Sequence, residues 1–193
     1  QLLDYLREKQ LLLVLDSLEH LLNPVGAGIS LLNDILHHAP GIKLLITSSQ
    51  RLHLQDEWVF EIQGLPVPPE YVSNGFERYS AVSLFIQSAG RVDSNFKLTA
   101  GDQPAIARIC RLVDGCPLGI KLAAAWVHVL SCAEIAAEIE RSLDFLTVAN
   151  PDLASRHRSL RAAFEHAWNL LSAEERRVLA QLSIFRDGFT RGA

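Results

Sequence analysis

Asp16 closes an uninterrupted apolar run, Leu11-Leu12-Leu13-Val14-Leu15. Such a run reads as a strand buried on both faces. An acid directly after it stands at the carboxyl edge of a sheet, where open α/β folds take their ligands. The same carboxylate could instead cap the turn or helix that follows. Glu19, three residues on, could polarise a water or simply complement a helix dipole. Lys43-Leu44-Leu45-Ile46-Thr47 is a second buried-strand candidate, followed by Ser48. His37-His38 reads as a pair of imidazoles at a helix C-terminus, with metal binding as the alternative. Cys110, Cys116 and Cys132 show no CxxC spacing; in helical segments they read as small apolar residues, not ligands or disulfide partners.

The elements that must position these residues change character along the chain. The helical stripe Ile29, Leu32, Ile35, Leu36 lies between the two strand candidates and stops at Pro40-Gly41. Strand, helix, strand at this spacing predicts a parallel βαβ arrangement. Trp58–Ile62 is a third, looser strand candidate. Gly64 to Asn74 holds three prolines, has no periodicity, and reads as a connector.

From Glu77 onward the patterns are helical. Ala81, Leu84, Phe85 and Ser88 form one face. Thr99-x-x-Asp102 resembles a capping box before a helix at Pro104–Val113, with Gly115 placed to end it. Pro117 suits the first position of a helix running from Leu118 to Leu130. Ser131-x-x-Glu134 opens a helix at Ala133–Leu143, and Asn150-Pro151 breaks the chain. Leu160, Ala163, Phe164, Ala167, Trp168 and Leu171 then mark an amphipathic helix. Ser172-x-x-Glu175 caps the last, with Val178, Leu179, Leu182 and Phe185 on its apolar side.

Composition bounds the function classes. With 193 residues, 49% hydrophobic and 21% charged, the chain is an ordinary globular sequence. A net charge of −4 argues against a surface that grips nucleic acid throughout. The apolar runs are too short to span a bilayer and no signal peptide is read, so no membrane contact is expected; the cysteine usage points to the cytoplasm. The absence of methionine suggests a cut or processed chain.

Leu11-Leu-Leu-Val-Leu-Asp-Ser-Leu-Glu-His-Leu21, followed by Leu44-Leu-Ile-Thr-Ser48, resembles two successive strands of an NB-ARC domain of the STAND class of P-loop ATPases. Ile109-Cys-Arg-Leu-Val-Asp-Gly-Cys-Pro-Leu-Gly-Ile-Lys-Leu-Ala-Ala124 is similar to the GLPL segment of the bacterial LuxR-type and antibiotic-regulator branch. Arg158–Trp168, Leu170–Glu175 and Leu182–Thr190 look like the opening of that branch's winged helix. The match runs in the family's order over nearly the whole chain.

The resemblance implies an α/β part followed by an all-α part. Residues 1–64 would be the C-terminal part of the nucleotide-binding domain, with a partial parallel P-loop-type sheet. Residues 65–76 would be a linker, 77–150 a helical domain of ARC type, and 151–193 the beginning of a winged helix. It assigns Asp16 as the Walker B acid on Mg²⁺ and Thr47 and Ser48 as the end of a sensor-1 strand. Gly115, Pro117 and Leu118 would form the turn whose proline packs on adenine, a role compatible with a helix-start proline. ATP or ADP with Mg²⁺ would be the cofactors of the intact parent, a nucleotide-dependent signalling switch within a bacterial transcriptional regulator. Other domains of the same protein, or protein partners, would receive the signal.

Three departures qualify these roles. Ser49 stands where the family carries an Arg, with Arg51 nearby, and Ser17 stands where a second acid often follows the first. Glu19 is the remaining candidate for a catalytic base. No Gly-x-x-x-x-Gly-Lys-Ser/Thr occurs, and the family places that loop upstream of Gln1. The winged-helix histidine that contacts ADP would lie beyond Ala193. The parent would therefore turn over slowly or bind nucleotide tightly without turnover, and this stretch alone is expected to bind nucleotide poorly or not at all and to be inactive. A sheet edge would be left beside Lys43–Thr47, closed by Trp58–Ile62 or by another chain, or left exposed. Two other readings stay open: a nucleotide-independent helical interaction module, and a winged-helix regulator touching DNA through Arg156, Arg158 and Arg161.

Overall fold

Leu11–Leu15 (β1) and Ile42–Ile46 (β2) form a parallel pair in which Leu13 stands opposite Leu44. The architecture comes from a computed structural model that describes residues 2–21, 27–69, 75–147 and 158–184. It separates into two units, Gln1–Ile62 and Gln63–Ala193.

In the first unit a short helix, Leu2–Arg7 (α1), precedes β1, and Ala27–His38 (α2) crosses between the strands. The βαβ expectation is met. Leu6, Ile35, Ala39 and Ile42 form one small core with Leu11, Leu13 and Leu44 packed on it; Leu18, Leu32 and Leu52 form another with Leu15 and Ile46. Two expectations are corrected. The strands are not buried on both faces, because exposure alternates along them and Leu12, Val14 and Leu45 stand more than half exposed. Among the described residues the core-forming side chains lie on one face only. Trp58–Ile62 is not a strand: its residues carry no ladder pairing, and Trp58, Phe60 and Ile62 are 86% to 97% exposed. An apolar, aromatic run does not by itself make a strand; that takes ladder pairing.

The second unit is helical: Ser80–Val92 (α3), Gln103–Leu112 (α4), Pro117–Ala124 (α5), Cys132–Arg141 (α6), Leu160–Leu170 (α7) and Ala173–Leu182 (α8). Its core gathers Ala81, Val82, Phe85, Ile106, Ile109, Cys110, Ile120, Ala123, Ile135 and Ile139, all almost fully buried. These positions recur at helical spacing, so burial follows the pattern that defines the helices. Phe85 meets Phe96 edge-on at 6.3 Å.

The Ser131–Glu134 and Ser172–Glu175 capping boxes both form as expected. The Thr99–Asp102 pair does not cap reciprocally. Asp102 is itself the N-cap residue of α4 without a side-chain cap, and its carboxylate reaches back to the Thr99 amide and hydroxyl at 3.0 and 2.6 Å. The helix expected to reach Leu130 ends at Ala124, because Trp126 and Val127 bond three residues back instead of four.

Residues 70–74 of the connector, the Asn150-Pro151 break with the 150/151 boundary, Arg156, and Phe185–Thr190 lie outside the described residues. Among the described residues no helix is long and apolar enough to cross a membrane.

Candidate functional site at the carboxyl ends of the strands

Parallel pairing brings the ends of β1 and β2 together, and with them Asp16 and Thr47. The Thr47 amide donates to the Leu15 carbonyl at 3.0 Å, extending the ladder one step beyond the strands. The chain then turns sharply: Ser17 takes a left-handed φ of 57°, unusual for a non-glycine residue. That turn lets the Ser17 amide donate to Thr47 Oγ1 at 3.0 Å, and the Leu18 amide donate to the Thr47 carbonyl at 3.0 Å. Thr47 Oγ1 in turn donates to Asp16 Oδ1.

One hydroxyl thus orients the carboxylate and accepts from the strained turn that carries it. Asp16 and Thr47 are both exposed. Backbone strain at a non-glycine residue concentrates at sites where surrounding structure fixes an unusual geometry. Strand patterning places Asp16 and Thr47 at a sheet edge, but carries no signal of the bond between them or of the turn at Ser17.

The other expected residues of this edge behave differently. The Ser48 hydroxyl accepts from the Gln50 amide at 3.2 Å, a local turn contact. Arg51 pairs with Glu61 at 2.8 Å. Glu19 sits half-buried in the 3-10 turn Leu18–Leu21, with Oε2 buried and without a hydrogen-bond partner among the described residues. A Glu57 carboxylate that sequence reasoning passes over holds the following loop, accepting from the amides of Leu52 and Leu54 at 3.1 and 3.2 Å.

Gly115, Pro117 and Leu118 form a separate cluster in the helical unit. Asp114 and Gly115 both take positive φ, 48° and 63°, closing α4 and aiming the chain into α5. Pro117 occupies the start of α5 as its fixed φ and missing N–H favour. It is exposed, whereas Gly115 is buried and Leu118 packs on the helical core. An exposed proline at a helix start offers a flat apolar surface.

Asp16 with Thr47 makes an oxygen donor set suited to a hard cation, with one carboxylate and one hydroxyl. No group of three or more His, Cys, Asp and Glu that could cage an ion occurs among the described residues. His37 and His38 each place Nδ1 2.8 Å from the carbonyl one turn back, of Asn33 and Asp34, as helix-end imidazoles do. Burial pushes the Cys110 thiol up to about 12 and the Cys132 thiol to about 11. Thiols held that high supply neither nucleophile nor metal ligand near neutrality.

An uncharacterised protein of Mycobacterium tuberculosis and one of Mycobacterium bovis are each similar to this chain, 32% identical over 188 residues, 97% of this chain and 44% of theirs. A longer Mycobacterium tuberculosis protein named "Putative HTH-type transcriptional regulator" is 29% identical over 189 residues, 98% of this chain and 20% of its own length. The chain therefore spans less than half the length of the curated relatives it matches. No protein-family model matches it, and no solved structure matches it.

Proposed function

We propose that this chain is the switch region of a transcriptional regulator, in which the Asp16–Thr47 edge takes part in binding ADP or ATP with Mg²⁺. The observation that carries the reading is the Thr47 hydroxyl donating to the Asp16 carboxylate at the carboxyl ends of two parallel strands. That arrangement holds an acid in one orientation beside the edge where α/β sheets take ligands. A relative named as a regulator supports the output. Bound Mg²⁺ would neutralise phosphate charge; Asp16 would hold it, and Thr47 would fix the carboxylate. Regulation of transcription in a bacterium places the protein in the cytoplasm, as part of the same proposal.

Direct DNA contact through the basic stretch is the weaker reading. Arg161 spends its guanidinium on Asp144 and Glu165, at 2.7 and 3.2 Å. A cation committed to two carboxylates contributes little to counterion release on a phosphate backbone.

The test is titration of ADP and ATP into the full-length protein and its Asp16→Asn variant, with Mg²⁺ and with a chelator. The expected result is a Mg²⁺-dependent loss of affinity in Asp16→Asn and little difference in chelator. Equal affinities in Mg²⁺ would sink the reading.

A further inference from the structure

Residues 64–68 of the connector are laid across three helices of the helical unit at once. The Gly115 carbonyl, in the α4–α5 turn, accepts from the Leu65 amide at 2.9 Å. The Pro66 carbonyl accepts from the Ala81 amide at 3.3 Å. Ala81 lies in the first turn of α3, where the N-cap residue Tyr79 gives no side-chain cap. The connector thus supplies a partner for an amide that the helix itself leaves unsatisfied. Arg111, in the last turn of α4, donates from Nη1 to the Pro68 carbonyl at 3.2 Å. Pro68 is fully buried, and Leu65 and Val67 pack on the core.

Such a hold can release in one piece. Where the segment meets the α4–α5 turn, the contact is backbone on backbone. A Cβ on Gly64 would overlap the Asp114 carbonyl oxygen, and one on Gly115 the Leu65 carbonyl oxygen. No side chain interlocks at either glycine. Pro66, Pro68 and Pro69 lack amides and fix φ, so the segment cannot join a helix or a ladder once it leaves. It keeps an extended course, and docking again costs little conformational entropy. Among the described residues Arg111 is the only side chain that hydrogen-bonds it. Segments held by few contacts open as small cooperative units, well below the free energy of global unfolding.

We propose that residues 64–68 are a releasable strap, which leaves the helical unit in one step and so uncaps α3 and frees the α4–α5 turn together, with Arg111 setting the balance. The strap follows directly on the junction between Ile62, where the first unit ends, and Gln63, where the second begins. A pull on the chain at that junction is thereby converted into the capping state of α3 and the freedom of the turn at Gly115. This inference needs no nucleotide and stands apart from the reading of Asp16.

Native-state hydrogen exchange on the full-length protein reads this opening at two places, because the Leu65 and Ala81 amides each donate one of the strap's bonds. The amides of Ile106 and Ile135, fully buried residues of α4 and α6 that donate to the Asp102 and Ser131 carbonyls, report the core. Leu65 and Ala81 are expected to share one opening equilibrium and to exchange faster than the core pair. Arg111→Met keeps an apolar stem but loses the donor. It should speed both strap amides by the same factor, about two- to tenfold, and leave Ile106 and Ile135 unchanged. Gly64→Ala pushes the other end of the strap off Asp114, and should speed Ala81 as much as Leu65. Acceleration of Leu65 alone in Gly64→Ala overturns the proposal, since the strap would then peel piecemeal. Equal acceleration of the core amides in Arg111→Met also overturns it, as does no change there at either strap amide.

Discussion

The Leu65 amide donates to the Gly115 carbonyl at 2.9 Å, so the connector and the α4–α5 turn touch backbone to backbone. Gly115 has φ 63°, and a Cβ there would overlap the Leu65 carbonyl oxygen and lie 2.8 Å from its amide nitrogen. The neighbouring atoms are backbone and cannot rotate away. Gly115→Ala therefore combines left-handed strain with a steric clash, and a loss of about 2 kcal/mol or more is expected in urea unfolding. A variant as stable as the parent would mean that the connector does not rest on this turn in solution.

Ser17 gives the opposite sign. Its left-handed φ of 57° costs a residue with a side chain roughly 1 kcal/mol or more relative to glycine, partly offset by glycine's larger unfolded-state entropy. Ser17→Gly is expected to keep the amide bond to Thr47 and to raise stability by a few tenths to about 1 kcal/mol. Thermal unfolding reads this. A fall in stability would show that the Ser17 side chain contributes something the described contacts do not contain.

The helical unit is largely legible in the amino-acid pattern, and the strand edge only in part. Ser131–Glu134, Ser172–Glu175, Pro117 and the face of Phe85 announce themselves because local bonding and helical periodicity act over a few residues. The parallel pairing of β1 with β2 also follows from spacing. What sequence does not show depends on contacts between distant segments. Thr47 bonds Asp16 across 31 positions, and Leu160 finds Gly119 across the bundle. Trp58–Ile62 misleads for the same reason: its apolar and aromatic residues do not say whether it pairs with another segment. The split of α5 from the turns at Trp126 escapes a periodicity argument, which cannot distinguish bonds to the third residue from bonds to the fourth.

The three cysteines should divide by burial. Cys110 is fully buried and Cys132 nearly so, with thiols pushed up to about 12 and about 11 by that burial, whereas Cys116 is partly exposed. An aromatic disulfide reagent at pH 8 is expected to label Cys116 readily and the other two only after unfolding. Rapid reaction of all three in the native protein would contradict the packing of α4 against α6.

The two capping boxes make stability depend on acid. Hydrogen bonding from the Ser131 hydroxyl and amide holds the Glu134 carboxyl below its ordinary value of 4.5, and the Ser172 amide and hydroxyl do the same for Glu175. A carboxylate whose folded pKa is depressed adds stability that is fully present above its unfolded pKa. That contribution fades as pH falls from about 4.5 through the lower folded value. Glutamine at either position can still accept at the cap but cannot titrate. Glu134→Gln and Glu175→Gln should therefore be less stable than the parent at pH 7, with the gap narrowing as the buffer is taken to pH 3. Urea midpoints of the three proteins at the two pH values measure this. A gap that stays constant would assign the loss to changed shape or helix propensity instead of the charge on the cap.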